Sequence, residues 1–157
     1  MKVVEIATAC CLAGILVAPV YAADGVPAGY RHFTHVKSMV ILPGHPLAAS
    51  FGGMHHVYVN DKGLAALKAG KTYPDGSVLV FDLFESTDQE HAYAEGARKV
   101  TAVMEKHAKT FAATGGWDFR AYKEGKGANI VKDAASECFS CHTAQEKRDF
   151  VFSTYTP

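Results

Sequence analysis

The chain has 157 residues, of which 48% are hydrophobic, and its 16 basic and 16 acidic residues give a formal net charge of +0. This length suits one ordinary domain. The balanced charge argues against a protein that binds nucleic acid or an anionic membrane surface, because such proteins usually carry an excess of basic residues.

The first 22 residues predict a secretory signal peptide. Lys2 precedes an apolar run from Ile6 to Val17, and Ala22 stands where cleavage is expected. Most of this run follows Cys10 and Cys11, which argues against a lipoprotein anchor. The run is too short for a transmembrane helix, and no later stretch approaches spanning length. We therefore expect an exported domain over residues 23–157 without a membrane anchor.

The first half of the exported chain predicts strands joined by short connections. Strands are expected over 31–42, over 54–59 (MHHVYV) and over 77–84 (SVLVFDLF), the last being β-branched and aromatic throughout. Asn60 and Asp61 can cap a short helix over 62–69, which ends before a glycine.

The second half carries weaker signals. Residues 85–95 are polar and predict a loop, while residues 97–111 fit either a helix or a strand. Further expectations are a strand over 117–122, a helix over 133–147 and a short strand or extended segment over 150–155. Together these elements predict an α+β fold built on antiparallel hairpins, with a helix near the C-terminus, and not a four-helix bundle.

Residues 138–142 read CFSCH, a C-x-x-C-H pentapeptide. This spacing is typical of the attachment site of a c-type haem. The thiols of Cys138 and Cys141 would add to the two haem vinyl groups, and His142 would supply an imidazole to the iron. The two-residue gap lets one helical turn place both sulfurs at the porphyrin edge and the ring beneath the metal. We therefore expect one covalently attached haem c per chain.

Two other interpretations of the cysteine pair stay open. A thioredoxin-like redox pair normally accompanies a βαβ pattern, which the sequence does not show. A structural zinc site needs four ligands, and the sequence has no second cysteine pair outside the leader.

The other axial position of the iron would have to be filled from upstream, because no Met or His follows His142. The upstream methionines are Met39, Met54 and Met104. Methionines at strand positions more often fill cores, and His55 and His56 would point to opposite faces of their strand. We therefore expect a five-coordinate iron with one open face.

Three stretches carry a resemblance to known proteins: residues 55–83, the GGW turn at 115–117, and CFSCH followed by RDFVFSTYTP to the end. Their order and spacing resemble the cytochrome P-460 superfamily and its β-sheet relatives, the cytochromes c′-β. The resemblance covers nearly all of the exported chain. It implies a small periplasmic homodimer with one pentacoordinate haem c per subunit. Cys138 and Cys141 then take the thioether roles and His142 the proximal role.

The superfamily divides at one position. In its hydroxylamine-oxidising branch, a lysine in the strand after the D-G-[ST]-V turn bonds to the porphyrin. Here that turn is residues 75–78 and the position reads Phe81, while the region of an expected distal carboxylate reads KVTA at 99–102. These departures match the c′-β branch, whose distal face is capped by phenylalanines. Phe81 is the expected cap, and Phe51, beside a Gly-Gly pair, is the second candidate.

The leading hypothesis is a haem protein that binds nitric oxide, carbon monoxide and similar gases at an apolar site. An aromatic cap would leave no side-chain base to move protons near the ligand. The alternatives are a hydroxylamine-oxidising enzyme and a simple electron-transfer cytochrome with a periplasmic redox partner. Arg148 either lies near the proximal face, where it can pair with a haem propionate, or is a solvated cation at a helix end.

Overall fold

A computed structural model describes residues 25–156. The predicted signal peptide, residues 1–22, lies outside the described residues. The described chain forms a five-stranded antiparallel sheet in which each strand pairs with the next along the sequence. The strands are β1 (Thr34–Ile41), β2 (Gly53–Val59), β3 (Val78–Gln89), β4 (Ala92–Lys106) and β5 (Trp117–Lys123). The predicted antiparallel α+β class is confirmed.

Short helices connect or flank the strands. The α-helical segments are α1 (Ala48–Phe51), α2 (Asp61–Ala69) and α3 (Ser140–His142). The predicted capping of α2 is confirmed, because the side chain of Asn60 accepts a hydrogen bond from the backbone N–H of Gly63. In the part of the chain that the structure describes, no helix is long and apolar enough to cross a membrane.

The prediction of a loop over residues 85–95 is wrong. These residues extend β3 and begin β4, and the turn between them is Glu90–His91, both with positive φ. Backbone pairing continues to the end, with Ser86 opposite Glu95 and Gln89 opposite Ala92. Residues 85–95 form a polar hairpin, so they lack the alternation of apolar and polar residues that marks a half-buried strand. Of the ambiguous stretch over 97–111, residues 97–106 are strand, as part of β4, and residues 107–111 lead into and form a turn.

The C-terminal region differs from the prediction in detail. In place of one helix over 133–147, a π-helical turn (Ala135–Phe139) leads into α3 and then into a 3-10 segment (Thr143–Arg148). No strand forms over residues 150–155: Phe150 belongs to a turn, and residues 151–155 have no regular secondary structure. Both Asp149 and Phe150 have positive φ, and this conformation turns the chain before the C-terminal segment.

The sheet has two covered faces with different partners. On the first, which we call the motif face, Leu79 of β3 and Phe119 of β5 belong to a buried cluster against which Cys138 and Phe139 pack. On the opposite face, Val80 and Val103 pack with the N-terminal segment around Val26. The C-x-x-C-H motif therefore lies over the motif face.

Candidate functional site

The motif spans two helical turns of different pitch. Cys138 lies in the π-helical turn, and Cys141 and His142 lie in α3. Both cysteines are free thiols, Cys138 half-buried and Cys141 exposed. π-Helical turns are rare and occur often at functional sites. Neither sulfur is therefore engaged in a disulfide that would prevent attachment to a cofactor.

The environment of Cys138 bears on the thioredoxin-like interpretation. Burial, reinforced by the neighbouring carboxylate of Glu137, raises the pKa of the Cys138 thiol. A reactive redox cysteine needs a lowered thiol pKa, and a thioredoxin-like motif normally accompanies a βαβ unit, whereas this sheet is antiparallel throughout. The geometry therefore disfavours a redox pair.

The structure fixes the tautomer of His142. Its Nδ1 lies 2.7 Å from the backbone carbonyl oxygen of Phe150, which can only accept, so Nδ1 carries the proton and donates. Burial lowers the pKa of His142, and the bond to this carbonyl opposes that shift. The ring is thus neutral with its lone pair on Nε2, the state in which histidines bind metals.

Two aromatic rings pack edge-on against the imidazole of His142. Phe119 of β5 and Phe152 of the C-terminal segment each make an edge contact with it, with ring centroids 5.0 Å apart in both pairs. The rings of Phe139 and Phe150 pack edge to face with each other, with centroids 4.9 Å apart, and Phe139 also contacts Phe119. The orientation of the histidine is therefore set by packing as well as by its hydrogen bond.

The two predicted capping phenylalanines meet. The ring of Phe51, at the end of α1, is perpendicular to that of Phe81 in β3, and the ring centroids are 5.9 Å apart. Phe81 pairs across the sheet with Ala102, and Met104 pairs with Phe119. Directly paired residues share a face, so Phe81 lies on the motif face, as does the residue that contacts His142. The strand register assumed for Phe81 is consistent with this arrangement.

Lys99, to which the sequence analysis gave no role, is hydrogen-bonded to the segment that carries Phe51. Lys99 lies at a bulge in β4, and its Nζ donates to the backbone carbonyl oxygen of Gly52 at 2.5 Å. Gly52 follows Phe51 directly, so the bond ties the segment carrying one ring to the central sheet. No local pattern in the sequence signals it, because it joins positions that are far apart in the chain.

His55, which the sequence analysis weighed only as an axial ligand, lies against Phe81. It is 3% exposed, its ring centroid lies 4.6 Å from that of Phe81, and its buried Nδ1 has no hydrogen-bond partner among the described residues. Burial, with smaller contributions from the charges of Lys37 and His56, lowers the pKa of His55 to about 4. An imidazole that is neutral at pH 7 therefore lies beside Phe81, and the absence of a side-chain base near the bound ligand stays a prediction.

The remaining candidates lie apart from the two rings. His56 points to the opposite face from His55, as predicted, and its Nε2 lies 2.6 Å from a carboxylate oxygen of Glu95. Arg148 is exposed and hydrogen-bonds to the side-chain oxygen of Gln145, and its contact with a propionate stays a prediction. Across residues 25–156, no group of three or more His, Cys, Asp or Glu side chains could hold a metal ion.

The residues present suit a haem. Two free thiols stand one helical turn apart, a neutral histidine has its Nε2 lone pair available, and apolar rings lie on the same face of the sheet. Such a fold and site define a haem protein with an antiparallel sheet. A family model, Cytochrome P460, matches residues 27–153. The chain therefore belongs to the cytochrome P460 family, which implies binding of haem and its iron. A comparison with curated proteins finds no match.

Proposed function

We propose that this protein is a periplasmic c-type cytochrome that binds nitric oxide and similar diatomic gases at a pentacoordinate haem with an apolar distal side. Cys138 and Cys141 would form the thioethers and Nε2 of His142 the axial bond. A haem iron with an open axial position binds small ligands directly. The observation that carries the proposal is the perpendicular contact of Phe51 and Phe81 on the motif face.

The identity of residue 81 separates this proposal from hydroxylamine oxidation. Phe81 stands where the resemblance expects the cross-linking lysine, and a phenyl ring cannot bond to a porphyrin in that way. Lys68, an alternative source of an amine, lies in α2 with its Nζ 4.9 Å from the ring centroid of Tyr155. The chain thus offers an apolar group where that chemistry needs an amine.

The apolar rings would select ligands by excluding water. A phenyl ring offers no hydrogen bond to water, hydroxylamine or an anionic ligand, so binding these would leave polar atoms unpaired. Nitric oxide and carbon monoxide are small and weakly polar, and they lose little by entering such a space. His55 behind Phe81 is neutral at pH 7 because its pKa is about 4, so it adds no charge to this side.

Covalent attachment and turnover test the proposal against its enzymatic rival. We expect the intact mass of the exported protein to equal that of the chain plus one haem, and a pyridine haemochrome spectrum of ordinary haem c. A Cys138→Ala, Cys141→Ala double variant should lose covalent haem. Oxidation of hydroxylamine with a chemical electron acceptor, at a rate well above that of free haem, would overturn the proposal. The homodimer and any electron-transfer partner stay predictions.

A further inference from the structure

The hydrogen bond to His142 depends on an unusual piece of backbone. Its acceptor is the carbonyl of Phe150, and both Asp149 (φ 52) and Phe150 (φ 67) adopt the left-handed conformation. Residues other than glycine adopt this conformation rarely. Backbone hydrogen bonds within the turn support this conformation, since the N–H of Asp149 donates to the carbonyl of Glu146 and that of Phe150 to the carbonyl of Gln145, each at 2.9 Å. These bonds do not join the turn to the sheet.

Asp149 joins the turn to the rest of the fold, because three of its oxygens accept hydrogen bonds from residues outside the turn. Oδ1 lies 2.7 Å from Nζ of Lys106, and Oδ2 accepts the backbone N–H of Tyr73 at 2.8 Å. Its carbonyl oxygen accepts the indole N–H of Trp117 at 2.8 Å. Lys106 also donates to the carbonyl of Gly115 at 2.9 Å, and its Nζ lies 4.9 Å from the ring centroid of Trp117.

This ion pair is buried. The side chain of Lys106 is 4% exposed and that of Asp149 is 11% exposed. A buried pair contributes little net stability compared with apolar residues of similar size, so its presence beside the motif calls for another explanation. The pair joins the end of β4 to the turn that presents the Phe150 carbonyl.

We propose that Lys106 and Asp149 are positioning residues for the axial histidine. They fix the Phe150 carbonyl against Nδ1 of His142, and this bond keeps the imidazole electron-rich and correctly oriented toward iron. The pair would thereby set the strength of the iron–histidine bond and, through it, the properties of the gas-binding position. The inference rests on the proposed function in one respect, that His142 is the iron ligand.

A buried carboxylate on the opposite face provides a matched control. Asp82 is fully buried, and it accepts hydrogen bonds from Arg98 at 2.9 Å and from Arg31 at 3.0 Å. Loss of its charge should destabilise the fold much as loss of Asp149 does. It lies away from the motif face, so it should leave the histidine untouched.

The test uses the haem-loaded protein and its Asp149→Asn, Lys106→Met and Asp82→Asn variants. Resonance Raman spectra of the ferrous state give the iron–histidine stretching frequency, and redox titration gives the midpoint potential. We expect Asp149→Asn and Lys106→Met each to lower the frequency, because a carbonyl that is less firmly placed makes the imidazole a weaker donor. The double variant Lys106→Met, Asp149→Asn keeps the net charge and should also raise the potential, because a weaker donor stabilises ferrous iron. Asp82→Asn should leave the frequency at wild type. A wild-type frequency in the folded Asp149→Asn variant, or an equal shift in Asp82→Asn, would overturn the inference.

The experiment also distinguishes the outcomes in which a variant does not accumulate or the wild-type iron is six-coordinate. If a single variant does not accumulate, the double variant Lys106→Met, Asp149→Asn leaves no unpaired buried charge and is read in the same way. If the wild-type iron proves six-coordinate, the proposed function fails, and the potential of the double variant still tests the positioning role. If the wild type binds gas but the variants match it, only the positioning role fails.

Discussion

The rings of Phe51 and Phe81 meet at right angles, although one ends a short helix and the other lies in the middle of the sheet. Phe51 is 39% exposed, and the backbone beside it has hydrogen bonds that place the ring. One of these is the bond from Lys99 to the Gly52 carbonyl. The two rings therefore form an apolar unit whose position depends on the strand register, on the backbone hydrogen bonds of α1 and on the bond from Lys99.

Removing the ring of Phe81 should admit polar ligands to the iron. In the haem-loaded protein, we expect Phe81→Ala to bind azide in the ferric state about tenfold more tightly, equivalent to ~1.4 kcal/mol, because water and anions would no longer meet a phenyl ring. Optical titration with azide measures the change. Phe84→Ala is the control, since Phe84 lies on the opposite face between Arg31 and Arg98. Equal azide affinities in the two variants would contradict the placement of Phe81.

Loss of the Lys99 bond should loosen Phe51 without removing it. We expect Lys99→Met to lower the free energy of unfolding by about 1 kcal/mol, the usual net value of one hydrogen bond, and to raise azide affinity by less than Phe81→Ala does. Denaturant unfolding and azide titration measure the two effects. Lys123→Met, at an exposed lysine of the neighbouring strand β5, controls for loss of positive charge. An azide affinity that rises equally in both variants would show that charge alone is responsible.

The low pKa of His55 predicts a dependence of stability on pH. The folded protein takes up this proton only near pH 4, whereas the unfolded chain takes it up near pH 6.5. The free energy of unfolding should therefore fall as the pH drops from 6.5 to 4, by up to about 3 kcal/mol. His55→Phe removes this contribution, so its stability should depend less on pH across that window.

Unfolding by urea at pH 7 and at pH 4.5 measures the difference for His55. The exposed His45 provides the control variant, His45→Phe, which should keep the wild-type difference between the two pH values. An unchanged difference in His55→Phe would mean that this histidine does not resist protonation in the fold.

A substitution at Gly115 tests how tightly Phe150 is packed, the residue whose carbonyl accepts the hydrogen bond from His142. Its φ is +64, and a Cβ there would lie 2.3 Å from a ring carbon of Phe150. Gly115→Ala should cost roughly 1–2 kcal/mol for the left-handed backbone conformation and roughly 1–3 kcal/mol more for the clash. Gly70→Ala isolates the first contribution, because Gly70 has φ +59 and open space around it. Similar losses of unfolding free energy in both variants would show that Phe150 can move away freely.

The sequence was informative wherever the signal was local. The β-branched run of β3, the capping of α2 and the C-x-x-C-H spacing each depend on neighbouring residues, and the alternation along β3 placed Phe81 on a defined face. Residues 85–95 were mistaken for a loop because that hairpin is polar and is held by backbone pairing. The contacts of His142 with Phe150 and of Lys106 with Asp149 depend on a left-handed turn at two non-glycine residues. Composition and periodicity carry no signal for such a turn.

The optical spectrum of the purified ferrous protein, before and after addition of nitric oxide, tests the central claim most directly. We expect a high-spin, five-coordinate spectrum with ordinary haem c bands that changes when nitric oxide is added. A low-spin spectrum that does not respond to the gas would contradict this expectation and would favour electron transfer. A strongly red-shifted Soret band would contradict it in another way, by indicating a cross-linked haem of the hydroxylamine-oxidising type.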